Sequence, residues 1–124
     1  MRRILIAGNW KMNVIDNINP VIDSSMKNDV DVLIMPPFIY LERFNTAIKG
    51  SKVKLGAQNM SSQEKGAFTG EISPLFLKEF GIEYVAIGHS ERRHIFKETD
   101  EEISLKMQKA IDLNLKPILC VGET

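Results

Sequence analysis

Five short apolar runs recur along the chain, from Ile4 to Ala7, Val32 to Met35, Val53 to Ala57, Tyr84 to Ile87 and Ile118 to Val121. Their starts lie about 20–35 residues apart, close to the length of one strand–helix–strand unit. Most are continuous in Ile, Val and Leu rather than alternating, as strands are when helices cover both faces. The pattern predicts an α/β chain with a parallel sheet.

The segments between the runs carry helix signals. In "TDEEISLKMQKAIDLN", Thr99 and Glu102 form a capping box, and Ile103, Met107, Ala110 and Ile111 recur at helical spacing until Asn114 and Pro117 end the helix. In "SPLFLKEFG", Ser73 is the N-cap, Pro74 takes the first helical position and Gly81 stands just past the end. Leu41, Phe44 and Ile48 share one face of a helix that stops at Gly50. The connection from Val14 to Asp29 is interrupted by Pro20 and scattered asparagines, so only a short helix after Pro20 is expected there.

The 124 residues suffice for one ordinary domain and not for two. Lys and Arg together number 16, as do Asp and Glu, so the basic surplus of a nucleic-acid binder is missing. No basic cluster suits a membrane surface either. Two arginines precede Ile4 to Ala7, but that run is shorter than the roughly 7–15 apolar residues of a signal peptide, and no stretch is of membrane-spanning length. A cytoplasmic protein is the expectation. Cys120 is the only cysteine, which leaves no internal disulfide and no cysteine-rich metal site, and it is expected to be a buried thiol.

Parallel α/β folds bind ligands beyond the carboxyl ends of their strands. The residues there are Asn9, Trp10, Lys11 and Asn13 after the first run, Pro36 and Pro37 after the second, and Gln58 and Asn59 after the third. His89, Ser90 and Glu91 follow the fourth, and Glu123 the fifth. Singly, a lysine past a strand is most often solvated, and a lone histidine there is as often structural as catalytic. A cation, an amide, an imidazole and a carboxylate together suit a small anionic or carbonyl-bearing substrate. Nucleotide binding loses support, because neither the dinucleotide glycine fingerprint nor a P-loop occurs. "GAFTGE", Gly66 to Glu71, lies well past a strand end and reads as a protruding loop. His89 and His94 lack supporting ligands, so no metal is expected. Spacing alone fits both an open five-stranded sheet of flavodoxin order and part of a closed (β/α)8 barrel.

"AGNWKMN", "GAQNM" followed by "GAFTGEISP", "IGHSERR" and "PILCVGET" occur here in order and at spacings that resemble the triosephosphate isomerase family. The resemblance runs from the first strand to the last residue and covers about the first half of the family's chain. It implies a (β/α)8 TIM barrel of about 250 residues, of which residues 1–124 supply about the first five strands of a single domain, strands six to eight being absent. It further implies interconversion of dihydroxyacetone phosphate and glyceraldehyde 3-phosphate through an enediolate without a metal or organic cofactor, in glycolysis and gluconeogenesis, by a homodimer.

Position by position, Lys11 resembles the cation that binds substrate and stabilises negative charge, with Asn9 beside it in the pocket. His89 resembles the neutral electrophile that polarises the carbonyl oxygens, and Glu91 the carboxylate that holds the lysine. A short helix opening at Ser90 would disfavour the imidazolium through its N–H groups, an effect for which this family is itself the standard instance. Thr69 resembles the tip of a loop that enters the neighbouring subunit, and Glu71 and Arg92 a pair joined across that interface. The family's first connection is several residues longer than the one here. Its general base is a glutamate on the sixth strand, beyond Thr124, so the 124-residue chain alone is expected to be inactive. A self-associating half-barrel and a flavodoxin-like binding module are the competing expectations.

Overall fold

The computed structural model describes residues 3–27 and 29–122. Glu123, at the rim after the fifth run, lies outside the described residues. The chain forms two compact units, residues 1–58 and residues 59–124.

The first unit runs β1 (Leu5–Asn9), α1 (Asn19–Met26), β2 (Asp31–Met35), a 3-10 turn (Phe38–Tyr40), α2 (Leu41–Ala47) and β3 (Val53–Ala57). The strands pair in parallel, Leu5 to Asn9 opposite Asp31 to Met35, and Val32 to Ile34 opposite Val53 to Leu55. Its core gathers Leu33, Ile34, Leu41, Phe44, Val53 and Leu55, joined by Ile15 and Ile18 from the β1–α1 connection. Each fully buried aliphatic or aromatic side chain contributes about 1.5–3 kcal/mol. Helix α1 starts at Asn19, one residue before Pro20 rather than after it. A proline in the first turn lacks only an N–H that has no intrahelical partner there.

The second unit runs from a loop over residues 61–73 through α3 (Pro74–Glu79), β4 (Tyr84–Ile87), α4 (Ser90–His94) and α5 (Asp100–Asp112) to β5 (Lys116–Leu119). Residues Tyr84 to Ile87 pair in parallel with Lys116 to Leu119. The core holds Met60, Leu77, Ile82, Val85, Ile87, Ile103, Ala110 and Leu115. Ser73 caps α3 by accepting from Leu75 N–H at 3.0 Å, and Gly81 follows the helix at φ 70°. Thr99 Oγ1 accepts from Glu102 N–H at 3.2 Å while the Glu102 carboxylate accepts from Thr99 N–H at 3.0 Å, which closes the expected capping box. The 61–73 loop closes on itself. Ser61 N–H donates to Ile72 O at 2.7 Å, Ser73 Oγ donates to Glu64 O, and Thr69 and Glu71 lie exposed at its far side.

Four expectations change. The fifth strand lies two residues earlier than its apolar run, because Lys116 N–H donating to Glu83 O at 2.7 Å starts the pairing before Ile118 is reached. The first strand likewise extends through Gly8 to Asn9, opposite β2. Nor are all strands covered on both faces. Among the described residues of their own units, β1 pairs with β2 and β5 with β4, and Ile4 and Ile6 are 63% and 55% exposed. Cys120 is half-buried rather than buried. Desolvation pushes its thiol above the ordinary range, against a smaller opposite pull from the Arg93 charge. No described helix is long and apolar enough to cross a membrane.

Candidate active site

Each unit places polar groups just beyond the carboxyl ends of its strands. In the first unit, β1 ends at Asn9, and the chain turns sharply because Lys11 sits at φ 54°, in the left-handed region that costs a non-glycine residue on the order of 1–3 kcal/mol. Side chains hold that conformation at both of its backbone polar groups. Lys11 N–H donates to Asn9 Oδ1 at 2.8 Å, and Gln58 Nε2 donates to Lys11 O at 2.8 Å. Gln58 gives its second hydrogen to Met35 O at 3.0 Å, the carbonyl that also accepts from Trp10 N–H. One amide at the end of β3 thus ties Lys11 to the end of β2.

The connection is held again four residues on. Arg43 Nη2 donates to Ile15 O at 3.3 Å and Ile15 N–H donates to the Tyr40 hydroxyl at 3.4 Å, with the guanidinium stacked about Tyr40 and Phe44. The lysine side chain itself stays exposed. Sequence reasoning brings Gln58 to the rim without giving it a task, since nothing in one chain's pattern says which carbonyl an amide will meet.

In the second unit, Gly88 turns β4 into α4 at φ 74° and His89 caps the helix. His89 Nδ1 accepts from Glu91 N–H at 3.1 Å. A nitrogen that accepts carries no proton, so the neutral ring bears its hydrogen on Nε2. The Glu91 carboxylate lies 3.7 Å from the same Nδ1, which would be an ion pair only with a charged ring. Of the two contacts the shorter, the backbone bond, is the one that occupies Nδ1. Ser90 opens α4 and is exposed.

Arg92 finds its partners in the α4–α5 connection. Its Nε donates to Glu98 Oε2 at 3.2 Å, and its guanidinium carbon lies 4.8 Å from the Phe96 ring centre. Among the described residues Glu71 and Arg92 form no ion pair within the chain. Lys106 Nζ donates to Glu98 Oε2 at 2.8 Å and to Asn59 Oδ1 at 2.9 Å, and the Glu98 and Lys106 side chains are only 3% and 8% exposed. Burial alone would raise the Glu98 carboxyl, but Lys106 and Arg92 outweigh it and hold the group below its ordinary value. Local sequence pattern does not reveal this buried cluster. Its one visible signal was a lysine, Lys106, on the same helical stripe as Ile103 and Ala110. Among the described residues no group of three or more His, Cys, Asp or Glu side chains could hold a metal ion.

The described residues form five strands that pair in parallel within each unit and carry polar chemistry at their carboxyl ends, the pattern of a partial (β/α)8 barrel. The sequence model of the family described as triosephosphate isomerase matches residues 4–124. Triosephosphate isomerases of Alkaliphilus oremlandii and Alkaliphilus metalliredigens are 50% and 51% identical to all of this chain, which covers 52% of each. That of Clostridium tetani is 50% identical, again over the whole chain and 51% of its own length. The chain belongs to the triosephosphate isomerase family. It spans about half the length of the curated relatives it matches.

Proposed function

We propose that the chain supplies the electrophilic part of a triosephosphate isomerase site, which interconverts dihydroxyacetone phosphate and glyceraldehyde 3-phosphate by proton transfer through an enediolate. The observation that carries this is the hydrogen bond that His89 Nδ1 accepts from Glu91 N–H. With Nδ1 engaged by Glu91 N–H, Nε2–H is a neutral donor of fixed direction, suited to the two oxygens between which the proton moves. A neutral donor strengthens its bond as the enediolate forms and gives up no proton outright.

Lys11 adds a cation for the phosphate and for the developing negative charge, on a backbone held in place by Asn9 and Gln58. Asn9 is its neighbour in substrate binding, and Ser90 and Glu91 support the imidazole end. The carbon-bound proton needs a base within about 3 Å. That base is proposed to be a glutamate from the half of the family's length that this chain does not span. The exposed loop bearing Thr69 and Glu71, together with Arg92, is proposed to serve the interface of a homodimer. Residues 1–124 would then be the N-terminal portion of a single barrel domain, active in the cytoplasm in glycolysis and gluconeogenesis.

The test is an isomerase assay of the full-length protein containing this chain and of residues 1–124 alone. The full-length protein should turn over triose phosphate and the 124-residue chain should not, with His89→Gln lowering kcat of the former by about 10²–10³. Full activity in the 124-residue chain would remove the need for a base from elsewhere. An inactive full-length protein would reject the function.

A further inference from the structure

Arg93 is the charged residue of the 89–93 run to which the proposed reaction gives no role. In the second unit its guanidinium lies between the ends of β4 and β5. Nε donates to Gly88 O at 2.7 Å, Nη2 to Cys120 O at 3.3 Å and Nη1 to Asp100 Oδ1 at 2.8 Å. The two strand ends are already joined there by Cys120 N–H donating to Ile87 O at 2.9 Å.

The space for this clasp is made by glycine. A Cβ on Gly88 would lie 2.8 Å from Arg93 Nη2 and 3.3 Å from two Ile103 carbons, and the residue's φ of 74° is one that side chains rarely adopt. The guanidinium fills what the missing side chain leaves open. Arg93 N–H also donates to His89 O at 3.1 Å. The residue therefore holds the carbonyls on both sides of the His89 amide–Cα unit, Gly88 O with its side chain and His89 O with its main chain.

We propose that Arg93 is a positioning residue for the His89 electrophile, clasping the Gly88 and Cys120 carbonyls so that the imidazole is presented from a fixed backbone. The inference rests on the functional reading above. Arg93 makes no contact with substrate in this role and acts through Gly88 and His89. Arg93 meets its three acceptors from three separate nitrogens of one rigid plane, a spread that the single ammonium nitrogen of lysine should not reproduce. Misplacing a reacting group by about 1 Å costs about a hundredfold in rate.

The experiment uses the full-length protein with Arg93→Lys, Arg93→Gln and Asp100→Ala, reading kcat, KM and the ¹⁵N ring signals of His89 and His94. Both Arg93 variants should lose about ten- to hundredfold in kcat with KM within about twofold. The His89 ring signals should move while those of His94 stay. Asp100→Ala removes only the exposed partner and should keep kcat near that of the parent. Should Arg93→Gln fail to fold, Arg93→Lys carries the same test. Unchanged kcat in the folded variants would overturn the proposal. So would a fall in thermal stability with His89 signals in place, or loss of folding in both variants, since each would mark Arg93 as merely structural. If the parent shows no isomerase activity, the functional reading fails by itself, and the His89 signals still decide whether the clasp orients the ring.

Discussion

Lys11 carries its cation on a backbone that a lysine does not adopt freely, so something must hold it there. The left-handed conformation at φ 54° persists because Asn9 and Gln58 take up its N–H and C=O. Gln58 serves two carbonyls with one NH2 group. Gln58→Met keeps the volume and removes both bonds, and it should destabilise the full-length protein by about 1–3 kcal/mol. It should also lower kcat, because the turn would relax and carry Lys11 with it. Chemical denaturation and steady-state kinetics on the same preparation check this. A stability loss with kcat unchanged would show that the lysine finds its place without the amide. At the same scale, burial that raises the Cys120 thiol should make it react more slowly with iodoacetamide at pH 8 than a free cysteine does.

At the scale of elements, α5 combines a legible end and an illegible middle. Its N-terminus could be read directly, since Thr99 and Glu102 stand at capping-box spacing and the box is formed. The Lys106 contact could not, because Glu98 lies outside the helix and Asn59 is 47 residues away. The strands show the same division. The runs at Val53 to Ala57 and Tyr84 to Ile87 coincide with β3 and β4, where apolarity and pairing agree. The fifth strand begins at Lys116 and Pro117, residues that look like a turn, because register with Tyr84 and Val85 and not hydrophobicity fixes it. Likewise, the motif residues at the rim were legible and their partners Gln58 and Arg93 were not. A side chain that bonds a carbonyl far along the chain leaves no local pattern.

The buried Glu98 gives α5 a pH dependence with a definite sign. Its carboxyl is held below the ordinary value of 4.5 by Lys106 and Arg92 against the cost of burial. The unfolded chain therefore binds that proton first as the medium is acidified. The stability this group contributes is complete above pH 4.5 and is lost as pH falls through the lower folded value. Glu98→Ala should abolish that part of the acid transition. It should also cost about 3–5 kcal/mol at neutral pH by leaving Lys106 charged and buried. Denaturation of parent and variant at pH 7 and below pH 4 measures both. Parallel pH profiles would place the acid sensitivity elsewhere.

At the scale of the molecule, each unit exposes apolar surface that its own elements do not cover. The first unit leaves Ile4, Ile6, Met12 and Val14 in solvent, Met12 at 95% and Val14 at 80%, and the second leaves Phe68, Ile95, Phe96 and Val121. Among the described residues β1 pairs with β2 alone, and its exposed side chains lie along that edge. A chain with such surfaces should not remain a dispersed monomer. Residues 1–124 expressed alone are expected to sediment as species larger than a monomer, increasingly so at higher concentration, and to bind a dye that reports exposed apolar surface. Joining them to the rest of the family's length should abolish the dye binding and bring isomerase activity with it. A dye-negative monomer would mean that the exposed side chains find cover within the 124 residues. Loss of dye binding without activity would separate completing the fold from completing the site, and would move the search to the proposed base.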